Sequence, residues 1–173
     1  MLSIKNILFL AVAVTGSVIK RDVAKVKQDL QTINTDTIAV ATAVNNYNGG
    51  VLNALPIITA QNNLSKDLKS ATTDAQQAGQ ASEADATEII GYITNTLEPS
   101  IVTTLGALKA KKAKFDADGL TATVKSSLTS LKTDTDNLGA ALIAGTPADL
   151  VTQAQAIQAK IDADFADAIT FFS

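Results

Sequence analysis

The side chains of this sequence best suited to chemistry are its aspartates: Asp116 with Asp118, Asp134 with Asp136, and Asp162, Asp164 and Asp167. Paired carboxylates can share a proton or hold a cation, but most reaction mechanisms need a partner base. The chain contains no histidine and no cysteine, which removes the Ser-His-Asp triad, the Cys-His pair and any His/Cys metal site. Asp116-x-Asp118-Gly119 has a faint likeness to a calcium loop, yet the position where such a loop needs a glutamate is Ser127. The aspartates near Phe165 flank it on its polar side and read as a solvated acidic face. No glycine-rich loop follows a strand, so a phosphate cradle is absent as well. No catalytic residue, metal or cofactor is assigned. The remaining polar candidates, Thr37, Gln61, Ser65 and Thr135, lie in or beside apolar stripes, where they either bond to their own backbone or meet at one end of a cavity.

The elements that carry them are helical. Apolar or small residues recur at three and four spacing from Val23 through Val26, Leu30, Ile33, Thr37, Val40 and Val44 to Tyr47. Asp22 can cap this helix and Asn48-Gly49-Gly50 can end it. A second helix is expected from near Val51 to Gly79, with Pro56 in its first turns and a stripe of Leu55, Ile58, Leu64, Leu68, Ala71, Ala75 and Ala78. Ser82, with Asp85 as acidic partner, caps a third whose stripe runs Ala86, Ile89, Ile90, Ile93 and Leu97. Pro99 should break or kink it, so residues 82–116 form one kinked helix or two. "DADG" at 116–119 closes that segment. The next stripe is Leu120, Val124, Leu128, Leu131, Thr135, Leu138 and Leu142, ending at Gly145. Thr146-Pro147 then reads as a cap and first position for a last helix facing inward with Leu150, Ala154, Ile157, Ile161, Phe165, Ala168 and Phe172.

With 46% apolar residues but only 4% aromatic ones, small aliphatic side chains must do most of the packing. The fold class expected is all-α: an up-and-down bundle of four to five long helices around a central apolar cavity. Residues 22–173 make one domain, and no cysteine staples it, so helix packing must hold it together.

The N-terminus has Lys5 before an apolar run from Ile7 to Val14 and small residues up to Ser17, the plan of a secretory signal peptide over 1–17. That run is far short of the roughly 20 residues that cross a bilayer. Residues 18–21 read as a short pro-segment ending in the dibasic pair Lys20-Arg21. Taking Lys5, Lys20 and Arg21 from 14 basic residues leaves 11 against 17 acidic ones, a net charge of −6. That balance disfavours nucleic acid as a partner. Asn63-Leu64-Ser65 is a lone glycosylation sequon. The chain ends directly after a helix, so a lipid anchor added at a C-terminal signal is not expected. The protein is expected to be a secreted, extracellular monomer, free in solution or associated with the cell wall.

"KRDVAKVKQDLQTINTDTIAVATAVNNYNGG", the later "LEPSIVTTLGALKAKKAKFD" and the closing alanine-rich helix resemble the fungal hydrophobic surface-binding protein A family, which includes cell-wall galactomannoproteins. The resemblance runs from about residue 20 to the end and implies a secreted helical bundle, usually of five helices. Related mannoprotein domains enclose a long apolar cavity for fatty acids, while the namesake adsorbs to hydrophobic surfaces and recruits an esterase or cutinase. Two functions are implied: capture of long-chain fatty acids between helices, or adsorption to insoluble polymer with an esterase partner. If a fatty acid lies along the bundle, Leu30, Ile33, Leu68, Ile93, Leu105, Leu131, Ile157 and Phe165 are expected to line its tail, and Thr37, Gln61, Ser65 and Thr135 are the head-group candidates.

Overall fold

The computed structural model describes residues 23–173. The expected signal peptide, the Lys20-Arg21 site and the Asp22 cap lie outside the described residues.

Helix α1 spans Val23–Asn46 and buries Val26, Leu30, Ile33, Thr37, Val40 and Val44, the stripe read from its spacing. The chain leaves through Gly49 and Gly50 at φ 102° and 91°, a region that L side chains rarely adopt. A 3-10 turn at Val51–Ala54 leads into α2, Leu55–Ala78, with Pro56 in the first turn. This tighter turn corrects the expected stripe, because three residues per turn instead of 3.6 shifts the phase of the helix after it. Leu55 and Ile58 are therefore 54% and 40% exposed, and Ala54 faces the core in their place.

Ser82 caps α3, Glu83–Tyr92, by accepting from the Asp85 amide at 3.1 Å. The helix then runs without interruption through a π turn at Ile93–Leu97 into α4, Glu98–Ala110. Pro99 supplies the reason: it lacks an amide, and its ring crowds the carbonyl of Asn95, so the preceding turn widens instead of breaking. The chain breaks later, at Lys111, before the short α5, Lys112–Ala117. Gly119 at φ 70° turns the chain into α6, Thr121–Ala144, and α7 comes last at Ala148–Phe171. Thr146 does not cap α7 as expected. Its hydroxyl donates back to the Leu142 carbonyl at 2.8 Å, which leaves Pro147 at the cap position.

Chain direction alternates from one long segment to the next, but spatial order departs from chain order. Helix α1 packs on α2 and α4, α2 on α6, α6 on α7, and α7 on α4, closing a ring. Cross-links give the directions. Ala81 donates to the Gly145 carbonyl at 2.8 Å, bringing the C-terminal ends of α2 and α6 together. Lys27 pairs with Asp85 and Glu88 at 2.8 and 2.6 Å, bringing together the first turns of α1 and α3. Lys25 pairs with Asp74 at 3.1 Å, which makes α1 and α2 antiparallel. A ring of five rods cannot fill its own axis with side chains of leucine and alanine size as tightly as a four-helix bundle can, and a channel remains.

One end of the ring is shut. Tyr47 stacks on Phe115 with centroids 4.8 Å apart, and Phe172 meets Phe115 edge-on at 6.3 Å. All three are fully buried. Among the described residues there is no strand, and no helix is long and apolar enough to cross a membrane.

Candidate functional site

The axial space is a cavity of about 130 Å³. Its wall follows α1 from Val23 to Val40, roughly 25 Å at the helical rise. It reaches Gly79, Ala81, Gly145 and Thr146 at the end opposite the aromatic plug. Every long helix contributes: Leu30 and Ile33 from α1, Leu68 from α2, Leu105 from α4, Leu131 from α6, and Ile157 and Phe165 from α7, with Ile93 from the π turn. All the residues assigned to a lipid tail are thus in the wall. Among the described residues no charged side chain lines it. An apolar void of about 150 Å³ stays dry and takes up hydrocarbon, so water does not compete for such a space.

The polar candidates divide. Thr37 and Thr135 line the cavity, whereas Gln61 and Ser65 do not. The Ser65 hydroxyl donates to Asp134 at 2.6 Å, on the outer side of the α2–α6 seam, and Lys69 donates to Ser65 at 3.1 Å. Gln61 is half-buried on α2 without reaching the cavity. Both miss because the residues of their turns that face inward are Leu64 and Leu68. Thr37 reaches the wall, but its hydroxyl donates to the Ile33 carbonyl at 2.7 Å, so it has no proton left for a head group. The Thr135 hydroxyl has no hydrogen-bond partner among the described residues.

Beside Thr135 lies a polar residue that the stripe did not flag. Gln158 of α7 packs over Gly139 of α6 so closely that a Cβ on Gly139 would fall 1.7 Å from Gln158 Oε1. Gly139 is one turn from Thr135 on the same face, so Thr135, Gly139 and Gln158 form one notch in the wall. A glycine inside a helix was the available signal, since it permits close approach at some cost in helix propensity.

Behind the notch the acidic face proves to be a set of inter-helix ties. Gln158 Nε2 donates to Asp162 at 2.8 Å and to Asp136 at 3.3 Å. Lys132 bridges the same two carboxylates at 2.8 and 3.3 Å. Burial pushes the Asp136 carboxyl above the ordinary carboxylate range despite Lys132. At Asp162 burial acts in the same sense, but the hydrogen bonds from Asp136, Lys132 and Gln158 outweigh it and hold that carboxyl low. Asp167 pairs with Lys109, and Asp164 is half-buried with Oδ2 unpartnered. Asp162 and Asp167 keep 38% and 74% of their side chains exposed, so the face is solvated as expected while it carries these ties, and only Asp164, with its Oδ2 buried, departs from that reading.

The remaining aspartates also have structural partners. Asp116 pairs with Lys112 and accepts from Thr121, while Asp118 accepts from the Tyr47 hydroxyl and from the Gly50 amide at 2.7 Å. Among the described residues no group of three or more acidic, histidine or cysteine side chains is placed to hold a metal. Asn63 is exposed on α2. Buried Glu98, which the sequence did not single out, meets Lys160 at 2.8 Å and ties α4 to α7.

The sequence profile of the hydrophobic surface binding protein A family, HsbA, matches residues 23–144. This chain belongs to the HsbA family. No curated protein sequence matches it. The crystal structure of AFMP4P in complex with palmitic acid superposes with a TM-score of 0.85 at 35% identity, covering 88% of this chain and 100% of that one. Ligand binding domain 1 of the Penicillium marneffei MP1 protein, complexed with arachidonic acids, gives 0.81 at 19% identity over 89% and 99% of the two chains. Domain 2 of that protein, complexed with multiple arachidonic acids, gives 0.83 at 20% over 90% and 98%. The two MP1 domains share the fold of this HsbA member.

Proposed function

We propose that this protein is a non-catalytic lipid carrier that takes a long-chain fatty acid, tail inward, into the channel between its five long helical segments. The observation that carries the proposal is the uncharged, almost wholly aliphatic wall running about 25 Å along the bundle, a length suited to an extended acyl chain. The palmitic acid of AFMP4P and the arachidonic acids of MP1 support it. Removing about 15 methylenes from water contributes ~12 kcal/mol gross at ~0.8 kcal/mol each. Loss of translational and conformational freedom offsets several kcal/mol of this, leaving roughly micromolar affinity. The leader pattern supports a carrier that works outside the cell.

Native mass spectrometry of the protein as secreted, followed by titration with palmitic acid, tests this reading. A bound lipid in the one-to-one species is expected. Ala75→Leu adds bulk at a buried wall position and should abolish uptake while leaving the fold intact. An unchanged affinity in that variant would remove the channel as the site.

A second reading has its own support. Residues 37–65 contain no charged side chain in a chain with 18% charged residues. Val51, Leu52, Leu55 and Ile58 of this stretch are exposed, Leu52 by 79%. Such an end suits adsorption to a hydrophobic surface, with a secreted esterase or cutinase as the partner in that setting. Polystyrene-bead adsorption that survives Ala75→Leu but is lost in Leu52→Ser would separate this activity from the channel.

A further inference from the structure

The wall notch has a chemical polarity that the channel reading does not use. It pairs one free donor with one free acceptor. The donor is the Thr135 hydroxyl, which has no partner among the described residues. The acceptor is Gln158 Oε1, whose orientation is set because the Nε2 end of the amide is held by Asp162 at 2.8 Å and Asp136 at 3.3 Å. The other hydroxyls of the wall donate to backbone carbonyls: Thr37 to Ile33, Thr104 to Ser100 and Thr37, and Thr146 to Leu142.

A carboxylate is a poor match for this arrangement. Its two oxygens accept only, so one of them would face the Gln158 oxygen with no proton between. No cation among the described residues lines the channel to compensate. The charged groups tied to Gln158 are Asp136 of α6 and Asp162 of α7, and the Lys132 ammonium is bound to both carboxylates. On the flanking helices, Lys69 of α2 is committed to Asp134, and Glu98 of α4 to Lys160. An uncharged carboxyl fits: its carbonyl accepts from Thr135 while its O–H donates to Gln158. A lipid hydroxyl can do the same with a single oxygen.

We infer that the Thr135–Gly139–Gln158 notch receives an uncharged head group, a lipid alcohol or a fatty acid in its protonated form, and selects against the carboxylate. The inference rests on the channel being the lipid site. It makes the protein a carrier that loads acids at low pH and releases them as pH rises, while holding fatty alcohols throughout.

Calorimetric titrations with dodecanoic acid and 1-dodecanol, from pH 6 to pH 8, test it. For a site that binds only the protonated acid, linkage weakens apparent affinity about tenfold per pH unit above the acid's own pKa. The acid should therefore bind roughly a hundredfold more weakly at pH 8 than at pH 6, and the alcohol equally well at both. Acid affinity that stays level across this range, or an alcohol that fails to bind where the acid does, would overturn the notch assignment and leave the channel standing. Failure of both ligands at both pH values would overturn the channel reading and the notch with it. Gly139→Ala forces the Gln158 carboxamide aside, and Thr135→Val removes the donor without changing shape. Each should weaken 1-dodecanol by roughly tenfold, the loss of one hydrogen bond, and retained helical circular dichroism separates this from unfolding. Unchanged alcohol affinity in both variants would also overturn the assignment.

Discussion

The Thr104 hydroxyl of α4 reaches across the seam to the backbone carbonyl of Thr37 on α1 at 3.1 Å, and shares its proton with the Ser100 carbonyl at 2.8 Å. Thr37 in turn donates its own hydroxyl to Ile33 at 2.7 Å. A threonine in the middle of an apolar stripe is thus satisfied by local backbone and sits at the contact of two helices. Thr37→Val should leave dodecanol and fatty-acid affinity unchanged and shift stability by less than about 1 kcal/mol. A loss of lipid affinity approaching that of Thr135→Val would show that the Thr37 hydroxyl turns toward the ligand.

Gly145 marks a close approach of two helix ends. A Cβ there would lie 2.6 Å from the Gly79 carbonyl oxygen, a backbone atom that cannot swing away. Gly145→Ala should destabilise the fold by about 1–3 kcal/mol, the usual cost of overpacking, read as a lower midpoint in urea. A wild-type midpoint would mean that the α2 and α6 ends part at no cost.

Asp36 provides an acid-side test. Burial, and then the neighbouring Asp67, hold its carboxyl above the ordinary 3.8. The stability linked to a raised carboxyl pKa is complete below pH 3.8 and is lost as pH climbs through the folded value. Asp36→Asn keeps a neutral group at every pH, so its melting temperature should exceed that of the wild type at pH 7 and match it near pH 3. The opposite order at pH 7 would show that the charge is favourably paired.

At the plugged end the sign is the same but the window is alkaline. Burial and the bond to Asp118 push the Tyr47 hydroxyl from 10.0 to about 12. Its neutral form therefore contributes stability that is complete below pH 10 and disappears as pH rises through about 12. Tyr47→Phe should melt lower than the wild type at pH 8, because Asp118 loses a donor, and this gap should close toward pH 12. A gap that stays constant would place the titration elsewhere.

Periodicity was enough to read the long helices, the caps at Ser82 and Gly49-Gly50 and the inward stripes, save Leu55 and Ile58 after the 3-10 turn and the cap expected at Thr146, because these depend on residues within a turn or two of one another. For the same reason the predicted tail-lining residues all fall in the wall, since a stripe that faces the axis faces it whatever its neighbour is. What spacing does not contain is the order of the helices around the ring. The pairing of α2 with α6 and of α7 with α4 is set by contacts between residues far apart in the chain, such as Ala81 with Gly145 and Glu98 with Lys160. That order decides which polar groups reach the cavity. Thr37 and Thr135 both lie on their stripes and both reach the wall, yet only the closing of α7 against α6 sets Gln158 beside Thr135, while Thr37 stays bonded to Ile33. Local sequence determined the rods and their apolar faces. Only the closing of five rods into a ring left a space between those faces and a polar notch in its wall.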